Sequence, residues 1–180
     1  MALTATIYTF DVELSDVDRG VYETLNLRVA RHPSETEEYL AVRVLAYCLE
    51  YTEGIAFSQG GLSDADEPAL SVRDLTGAMR TWIDVGAPDA ARLHKASKAT
   101  DRVVVYSHKN PDDVRRQVAG GRIHRAESID VFCFPPAMRE AFAAQLQRRM
   151  GLNVSVTGGQ IYIGIGPELI EGALQRVALI

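Results

Sequence analysis

The sequence lacks a long apolar run and has few cysteines. Two cysteines occur among its 180 residues, and no apolar stretch approaches the roughly 20 residues that a membrane-spanning helix requires. Cys48 and Cys133 are far apart and each lies within an apolar pattern, so we expect two buried thiols rather than a disulfide or a zinc cluster. The first residues lack the basic and apolar regions of a signal peptide. We therefore expect a cytoplasmic protein with no membrane association.

Positive charge is also in the minority. The chain has 19 Lys and Arg against 24 Asp and Glu, which gives a net charge of −5. This balance argues against a broad positive surface for non-specific DNA binding. It is compatible with a local basic groove, because residues 92–98 and 115–125 each contain several cations; the alternative is that these cations are only solvated. Neither G-x-S-x-G nor a strand-linked G-x-G-x-x-G occurs, so the α/β-hydrolase and dinucleotide-binding classes have no support.

The chain length favours a single domain over residues 1–180. Residues 3–14 and 22–30 alternate apolar and polar side chains, which predicts an antiparallel hairpin. A helix should begin just after Ser34, because Ser34 and Glu37 match a capping box. Further strands are expected near 69–73, 81–85, 102–107, 129–134, 152–157 and 160–165, and further helices near 88–99, 111–120 and 135–151. The continuous apolar run at 102–107 predicts parallel pairing, and Gly158-Gly159 predicts a hairpin between the strands on either side of it. Residues 173–180 fit a strand or a helix, and the strand is favoured. This order predicts an α/β fold with a central mixed sheet flanked by helices.

The segment from residue 64 to residue 98 is the best candidate for chemistry. Asp84 lies in the apolar run W-I-D-V-G, where an acid is costly unless it is paired or bound to a metal. One of Asp66 and Glu67, both directly before Pro68, would supply a second hard oxygen ligand for Mg²⁺ or Mn²⁺ beside a phosphodiester. Lys95, on the helix that follows, would stabilise the developing charge. The alternative for Asp84 is an acid at the end of a strand, and the alternative for Asp66 and Glu67 is a solvated loop.

A second group of candidates surrounds the start of the first helix. Glu38 shares a helical stripe with buried positions 42, 45 and 49, which would direct its carboxylate into a cleft. The alternative is an acid placed favourably in the first turn of a helix. Arg31, His32 and Ser34 lie at the strand-to-helix junction, and we expect them to contact substrate.

Helix residues 92, 95 and 98 form a third group of candidates. Arg92, Lys95 and Lys98 follow one another at intervals of three, so they are expected to share a face of the helix. Arg92 is expected to join the substrate contacts. The alternative for this group is a solvated basic face.

Four blocks of sequence, in this order, resemble the YaeQ family of bacterial proteins over essentially the whole chain. They are A-R-H-P-S-E-T-x-E at 30–38, D-E-P at 66–68, W-I-D-V-G-x-P-D at 82–89 and K-A at 95–96. That family is similar to a variant of the PD-(D/E)XK restriction-endonuclease-like fold, which has a central mixed sheet flanked by helices. Some of its members are linked to transcription elongation.

The resemblance also implies roles for individual residues. Glu38 would be the acid on the first core helix, and Glu67 rather than Asp66 would be the second acid. Asp84 would be the acid of the acid-x-lysine motif. The position two residues later is Gly86 rather than lysine, so Lys95 on the next helix would replace the missing ammonium group.

These observations predict a metal-dependent, nuclease-like hydrolase that acts on phosphodiesters. Glu67 and Asp84 would bind Mg²⁺ or Mn²⁺, and Glu38 and Lys95 would complete the catalytic group in one shared cleft. A binding module without catalysis, with a nucleic acid or a protein as its partner, is the alternative. A small phosphate-ester hydrolase is a third reading of the same residues.

Overall fold

The computed structural model describes residues 4–59 and 66–179. Within them the chain forms eleven strands: β1 Thr6–Asp16, β2 Val21–Arg31, β3 Ile55–Phe57, β4 Leu70–Arg73, β5 Met79–Val85, β6 Arg102–Ser107, β7 Asp130–Cys133, β8 Arg149–Thr157, β9 Gln160–Ile165, β10 Glu168–Ala173 and β11 Gln175–Val177. The four α-helices are α1 Glu37–Leu49, α2 Ala90–Ala99, α3 Pro111–Val118 and α4 Pro136–Gln145. None of the helices in these described ranges is long and apolar enough to cross a membrane.

The contacts of the chain divide it into two compact units. The first contains Met1–Ala41 and Pro135–Leu174, and the second contains Val42–Phe134 and Gln175–Ile180. Each unit has its own sheet, with five strands in the first and six in the second, and both sheets are mixed. The mixed α/β class is therefore confirmed, whereas the expectation of one central sheet is wrong. Local sequence patterns identify strands but do not show which of them pair over long distances.

The sheet of the first unit has the strand order β10-β9-β8-β1-β2. Strand β1 pairs antiparallel with β2 along its full 11 residues, which confirms the predicted hairpin. On its other edge β1 pairs in parallel with β8. Phe10, Val12 and Leu14 are buried along β1 while the residues between them are exposed or half-buried, as the alternating pattern predicts.

The turn between β8 and β9 confirms the hairpin predicted at Gly158-Gly159. Both glycines adopt positive φ, at 58° and 76°, a region that side-chained residues rarely occupy. The carboxylate of Asp18, in the turn between β1 and β2, accepts hydrogen bonds from both glycine amides, at 2.7 and 2.9 Å. These bonds hold the pKa of Asp18 below its usual range. The two hairpin turns of this unit are thereby joined.

Two helix boundaries differ from the sequence-based expectation. Helix α1 begins at Glu37, and the hydroxyl of Thr36 accepts a hydrogen bond from the Tyr39 amide at 3.1 Å, so Thr36 caps the helix in place of Ser34. Helix α4 ends at Gln145 rather than Gly151. Residues from Arg149 onward form strand β8 instead, because they pair with β1 and β9.

The second unit has the strand order β11-β7-β6-β5-β4-β3. Strands β5, β6 and β7 run parallel, which confirms the pairing predicted from the continuous apolar run of β6. Helix α2 begins after Asp89, whose carboxylate accepts a hydrogen bond from the Arg92 amide at 2.8 Å. Trp82 of β5 packs with Leu93 of α2 in the buried core of this unit. The second unit therefore fixes α2 against the sheet that carries Asp84.

Candidate functional site

Asp84 and Arg92 form a buried ion pair in the second unit. Asp84 lies on β5, two residues after Trp82, so the two side chains share a face of the strand. Only 3% of Asp84 is exposed. Its Oδ2 accepts a hydrogen bond from Arg92 Nε at 2.8 Å, and its Oδ1 accepts one from Arg92 Nη2 at 2.9 Å. This two-point arrangement is the strongest ordinary geometry between a carboxylate and a guanidinium group.

Arg92 also connects Asp84 to the D-E-P segment. Its Nη2 donates a second hydrogen bond, to the backbone carbonyl of Glu67 at 2.8 Å. The guanidinium carbon lies 5.2 Å from the centre of the Trp82 ring, within the range of a cation–π contact. One arginine therefore joins strand β5, helix α2 and the segment before β4.

The structure separates the two acids of the D-E-P segment. Glu67 is half-buried, and its Oε2 accepts a hydrogen bond from the Ser58 hydroxyl at 2.8 Å. Asp66 is exposed and forms an ion pair with Lys95, which lowers the pKa of Asp66 through the hydrogen bond and the charge of the lysine. Glu67 is thus the acid whose backbone adjoins the Asp84–Arg92 pair, and Lys95 neutralises the other acid.

Gly86, two residues after Asp84, adopts a φ of 110°. A residue with a side chain is strained at such an angle, whereas glycine is not. The Gly86 amide donates a hydrogen bond to the Tyr106 carbonyl at 3.0 Å, which fixes this turn at the end of β5. The backbone itself therefore disfavours the lysine that an acid-x-lysine motif would require here.

The candidates near α1 belong to the first unit, while Glu67, Asp84, Arg92 and Lys95 belong to the second. In the first unit, the Glu38 carboxylate accepts a hydrogen bond from Arg139 at 3.3 Å. Glu38 is half-buried, and Arg139 is buried. This pair joins α1 to α4.

The strand-to-helix junction of the first unit is held by local hydrogen bonds. His32 Nδ1 lies 2.6 Å from the Ser34 hydroxyl, and Arg31 Nε donates to the Glu35 carbonyl at 3.0 Å. The buried Glu35 carboxylate accepts from the His32 amide at 3.1 Å. The substrate-binding roles expected for Arg31, His32, Ser34 and Arg92, and the catalytic roles expected for Glu38, Glu67, Asp84 and Lys95, stay predictions.

The family model described as YaeQ protein matches residues 1–173 of this sequence. The chain belongs to the YaeQ family. Among its relatives, the uncharacterized protein YaeQ of Escherichia coli K12 is 29% identical over 172 residues, covering 95% of this chain and 94% of that protein. The uncharacterized protein YaeQ of Salmonella typhi is 37% identical with the same coverage.

Solved YaeQ structures share the fold described above. The crystal structure of the YaeQ protein from Pseudomonas syringae matches with a TM-score of 0.85 at 35% identity, covering 96% of this chain and 95% of that one. The YaeQ protein from Xanthomonas axonopodis pv. citri matches with a TM-score of 0.84 at 31% identity, covering 96% and 98%. The two mixed sheets and four helices among the described residues are therefore the YaeQ architecture.

The oxygens that would hold a divalent metal at this site are already hydrogen-bonded to Arg92. Both Asp84 oxygens accept hydrogen bonds from Arg92, whose Nη2 lies between Asp84 Oδ1 and the Glu67 carbonyl. Across residues 4–59 and 66–179, no group of three or more His, Cys, Asp or Glu side chains is placed to hold a metal ion. A protein cation occupies the position that hard oxygen ligands would otherwise offer to Mg²⁺.

Sequence reasoning identified the acids but missed the groups that bind them. Ser58, which donates to Glu67, lies in a short strand-like run with no distinguishing motif. Arg92 was assigned to substrate rather than to Asp84. The available signal was the spacing: Pro88 and Asp89 start a helix directly after β5, and this tight connection brings the first turn of α2 back to the end of the strand.

Proposed function

We propose that this protein is a non-catalytic module that binds the phosphodiester backbone of nucleic acid. Its architecture would be a variant of the PD-(D/E)XK nuclease fold in which Arg92 takes the place of the metal cation. The observation that carries the proposal is the pair of hydrogen bonds from Arg92 to both oxygens of Asp84. Both oxygens of a carboxylate engaged in this way are already bonded to a protein cation, which weakens the carboxylate as a metal ligand and as a base for water.

Two further observations support the loss of chemistry. The acid-x-lysine position is Gly86 at a φ of 110°, which makes an ammonium group there strained. Lys95, the expected substitute, forms an ion pair with Asp66 rather than with Asp84. The carboxylate of Asp84 and the ammonium group of Lys95, which catalysis would require, are therefore both already bonded to other protein side chains.

The charge of α2 supports nucleic acid as the partner. This helix contains Arg92, His94, Lys95 and Lys98 and no acidic residue, although the whole chain carries a net charge of −5. Arg92 is engaged by Asp84, but Lys95 and Lys98 are exposed, Lys95 in a surface pair with Asp66. Exposed cations on an acidic protein favour a partner with a regular array of negative charges, and phosphodiesters provide one.

The test measures binding and cleavage in one set of samples. Fluorescence anisotropy with labelled single- and double-stranded DNA and RNA should show binding that weakens steeply as salt rises. The same oligonucleotides should stay intact with Mg²⁺ or Mn²⁺. Lys95→Gln should weaken binding, whereas Lys109→Gln, which removes an equal charge outside α2, should not. Absence of binding, or cleavage that Asp84→Asn abolishes, would refute the proposal.

One observation favours a second candidate, metal-dependent phosphodiester hydrolysis. Asp84 Oδ1 and the Glu67 carbonyl both lie within 3 Å of a single nitrogen, at 2.9 and 2.8 Å from Arg92 Nη2, so two hard oxygens already surround one cation. This function would require Arg92 to withdraw. Arg92→Ala should then bind Mn²⁺ in calorimetry, and Arg92→Ala/Asp84→Asn should not. If Arg92→Ala binds no metal, this candidate fails.

A further inference from the structure

A basic pocket lies beside α2, between that helix and the segment that follows α3. It has a cavity volume of about 480 Å³ and is lined by His94, Lys98, Arg122, Ile123, His124 and Arg125. None of these residues is acidic. Lys98 and Arg122 form no ion pair with any residue of the described ranges 4–59 and 66–179. The pocket therefore concentrates positive charge without internal neutralisation.

The basic residues of α2 contact two different parts of the unit. Arg92 and Lys95 face Asp84 and Asp66, as their ion pairs show. His94 is two residues from Arg92, or about 200° around the helix, while Lys98 follows His94 by one turn on the same face. Lys98 therefore lines the pocket.

Specific hydrogen bonds hold the far wall of the pocket in place. The His124 amide donates to His94 Nδ1 at 3.1 Å. Arg125, at a positive φ of 49°, donates from Nη2 to the Thr100 carbonyl at 3.0 Å and also to the Ser97 carbonyl. Arg125 thus anchors the segment to the end of α2, because its guanidinium group is bonded to the backbone carbonyls there. Lys98, Arg122 and the two histidines are left to face the cavity.

The hydrogen bond between His124 and His94 fixes the imidazole of His94. A backbone amide can only donate, so Nδ1 carries no proton and the neutral ring carries its proton on Nε2. Partial desolvation and the charges of Lys98, His124 and Arg122 lower the pKa of His94. The neutral ring is therefore favoured, and its Nε2–H is a donor for an anion.

We propose that this pocket binds a phosphate group. Lys98 and Arg122 would neutralise the charge of the phosphate, and His94 Nε2–H would donate a hydrogen bond to one oxygen. The pocket is in the size range of small-molecule sites, which leaves room for the group that carries the phosphate. Inorganic phosphate and the phosphodiester of a nucleic acid share this chemistry. The site goes beyond the function proposed above, because a free phosphate would fill it whether or not nucleic acid binds to α2.

The test is a titration of the ¹⁵N-labelled protein with inorganic phosphate and, separately, with a single-stranded oligonucleotide, at matched ionic strength in chloride. The amides of His94, Arg122 and His124 should shift and saturate. Lys98→Gln and Arg122→Gln should each weaken phosphate binding by about tenfold, the scale of one charged hydrogen bond. Lys109→Gln is the matched control and should not change it.

The outcomes separate this proposal from the proposed function. Phosphate binding that requires Lys98 and Arg122, without oligonucleotide binding, supports the pocket and refutes the nucleic-acid module. Oligonucleotide binding that requires Lys95, together with no saturable shifts on addition of inorganic phosphate, supports the module and refutes the pocket. Absence of saturable shifts with either probe refutes the pocket as well. Because Lys98 and Arg122 are exposed, we expect their variants to fold, and circular dichroism checks this.

Discussion

Arg92 donates two hydrogen bonds to the buried carboxylate of Asp84, at 2.8 and 2.9 Å, from the first turn of the helix that follows the strand of Asp84. The pair explains how an acid can lie in the apolar run W-I-D-V. An unpaired carboxylate at 3% exposure would lose its hydration without compensation. In the function proposed above, the same pairing also keeps the carboxylate from binding a metal, so the fold and the proposed function depend on one contact.

Removing one partner of this pair should destabilise the fold. Asp84→Ala leaves Arg92, whose side chain is 24% exposed, without its carboxylate partner, and we expect a loss of about 3 kcal/mol in the free energy of unfolding. Asp84→Ala/Arg92→Ala should lose less than the sum of the two single variants. Urea unfolding, followed by the fluorescence of Trp82, the single tryptophan, measures all three. Asp66→Ala, in the exposed pair with Lys95, is the control and should change little. Additive losses would show that Asp84 and Arg92 do not interact.

Restoring the missing lysine should harm the protein rather than activate it. Gly86→Lys forces a side-chained residue to a φ of 110°, and we expect a loss of about 1–3 kcal/mol without any gain of nuclease activity. Gly151→Ala in β8 is the matched control. A Cβ added there lies 3.8 Å from the Asp11 carbonyl, an ordinary contact. Equal urea midpoints for Gly86→Lys and Gly151→Ala would contradict the assigned backbone strain.

The cap of α1 distinguishes Thr36 from Ser34. Thr36→Ala removes the acceptor of the Tyr39 amide and should cost about 1 kcal/mol. Ser34→Ala should cost less, because the Ser34 hydroxyl bonds to His32 rather than to the helix. Thermal unfolding of the two variants measures the difference. A larger loss of stability in Ser34→Ala than in Thr36→Ala would instead support the capping box expected from the sequence.

Acid should weaken the fold through His94. Its pKa lies below the ordinary value of 6.5 because of desolvation and the neighbouring charges of Lys98, His124 and Arg122. The unfolded chain therefore takes up this proton first, so the stabilisation is present above pH 6.5 and is lost as pH falls through the lower, folded-state pKa. Protonation at Nδ1 also removes the acceptor of the His124 amide.

Urea midpoints measured on both sides of pH 6.5 test this expectation. His94→Gln should reduce the loss of stability on acidification. His32→Gln, a histidine of the first unit, is the control and should retain that loss. An unchanged pH dependence in His94→Gln would contradict the role of this histidine.

The sequence predicted those features that depend on local patterning. The β1–β2 hairpin and the parallel pairing of β6 follow from alternation and from a continuous apolar run. The end of α4 was missed because residues 146–151 continue a helical composition, and strand pairing of Arg149 onward overrides that preference. The number of sheets depends on pairings between distant segments, which periodicity does not encode.

Prediction of the candidate site was limited in the same way. Asp84 and Lys95 are candidates by residue type and by position on a strand and on a helix, whereas the preference for Glu67 over Asp66 comes from the family resemblance. Their actual partners, Arg92, Ser58 and Asp66, are set by the turn at Gly86 and by the approach of the D-E-P segment. Such contacts depend on differences of an ångström, which residue spacing cannot resolve.

The parallel pairing of β1 with β8 has a consequence for synthesis on the ribosome. Thr9 lies opposite Arg149 in this register. One edge of β1, the first strand to be synthesised, therefore stays unpaired until β8 has been synthesised. Until then the nascent β1–β2 hairpin presents unsatisfied amides and carbonyls along β1, a template for joining a neighbouring nascent chain. Chaperones that cover extended backbone during translation would protect this strand most.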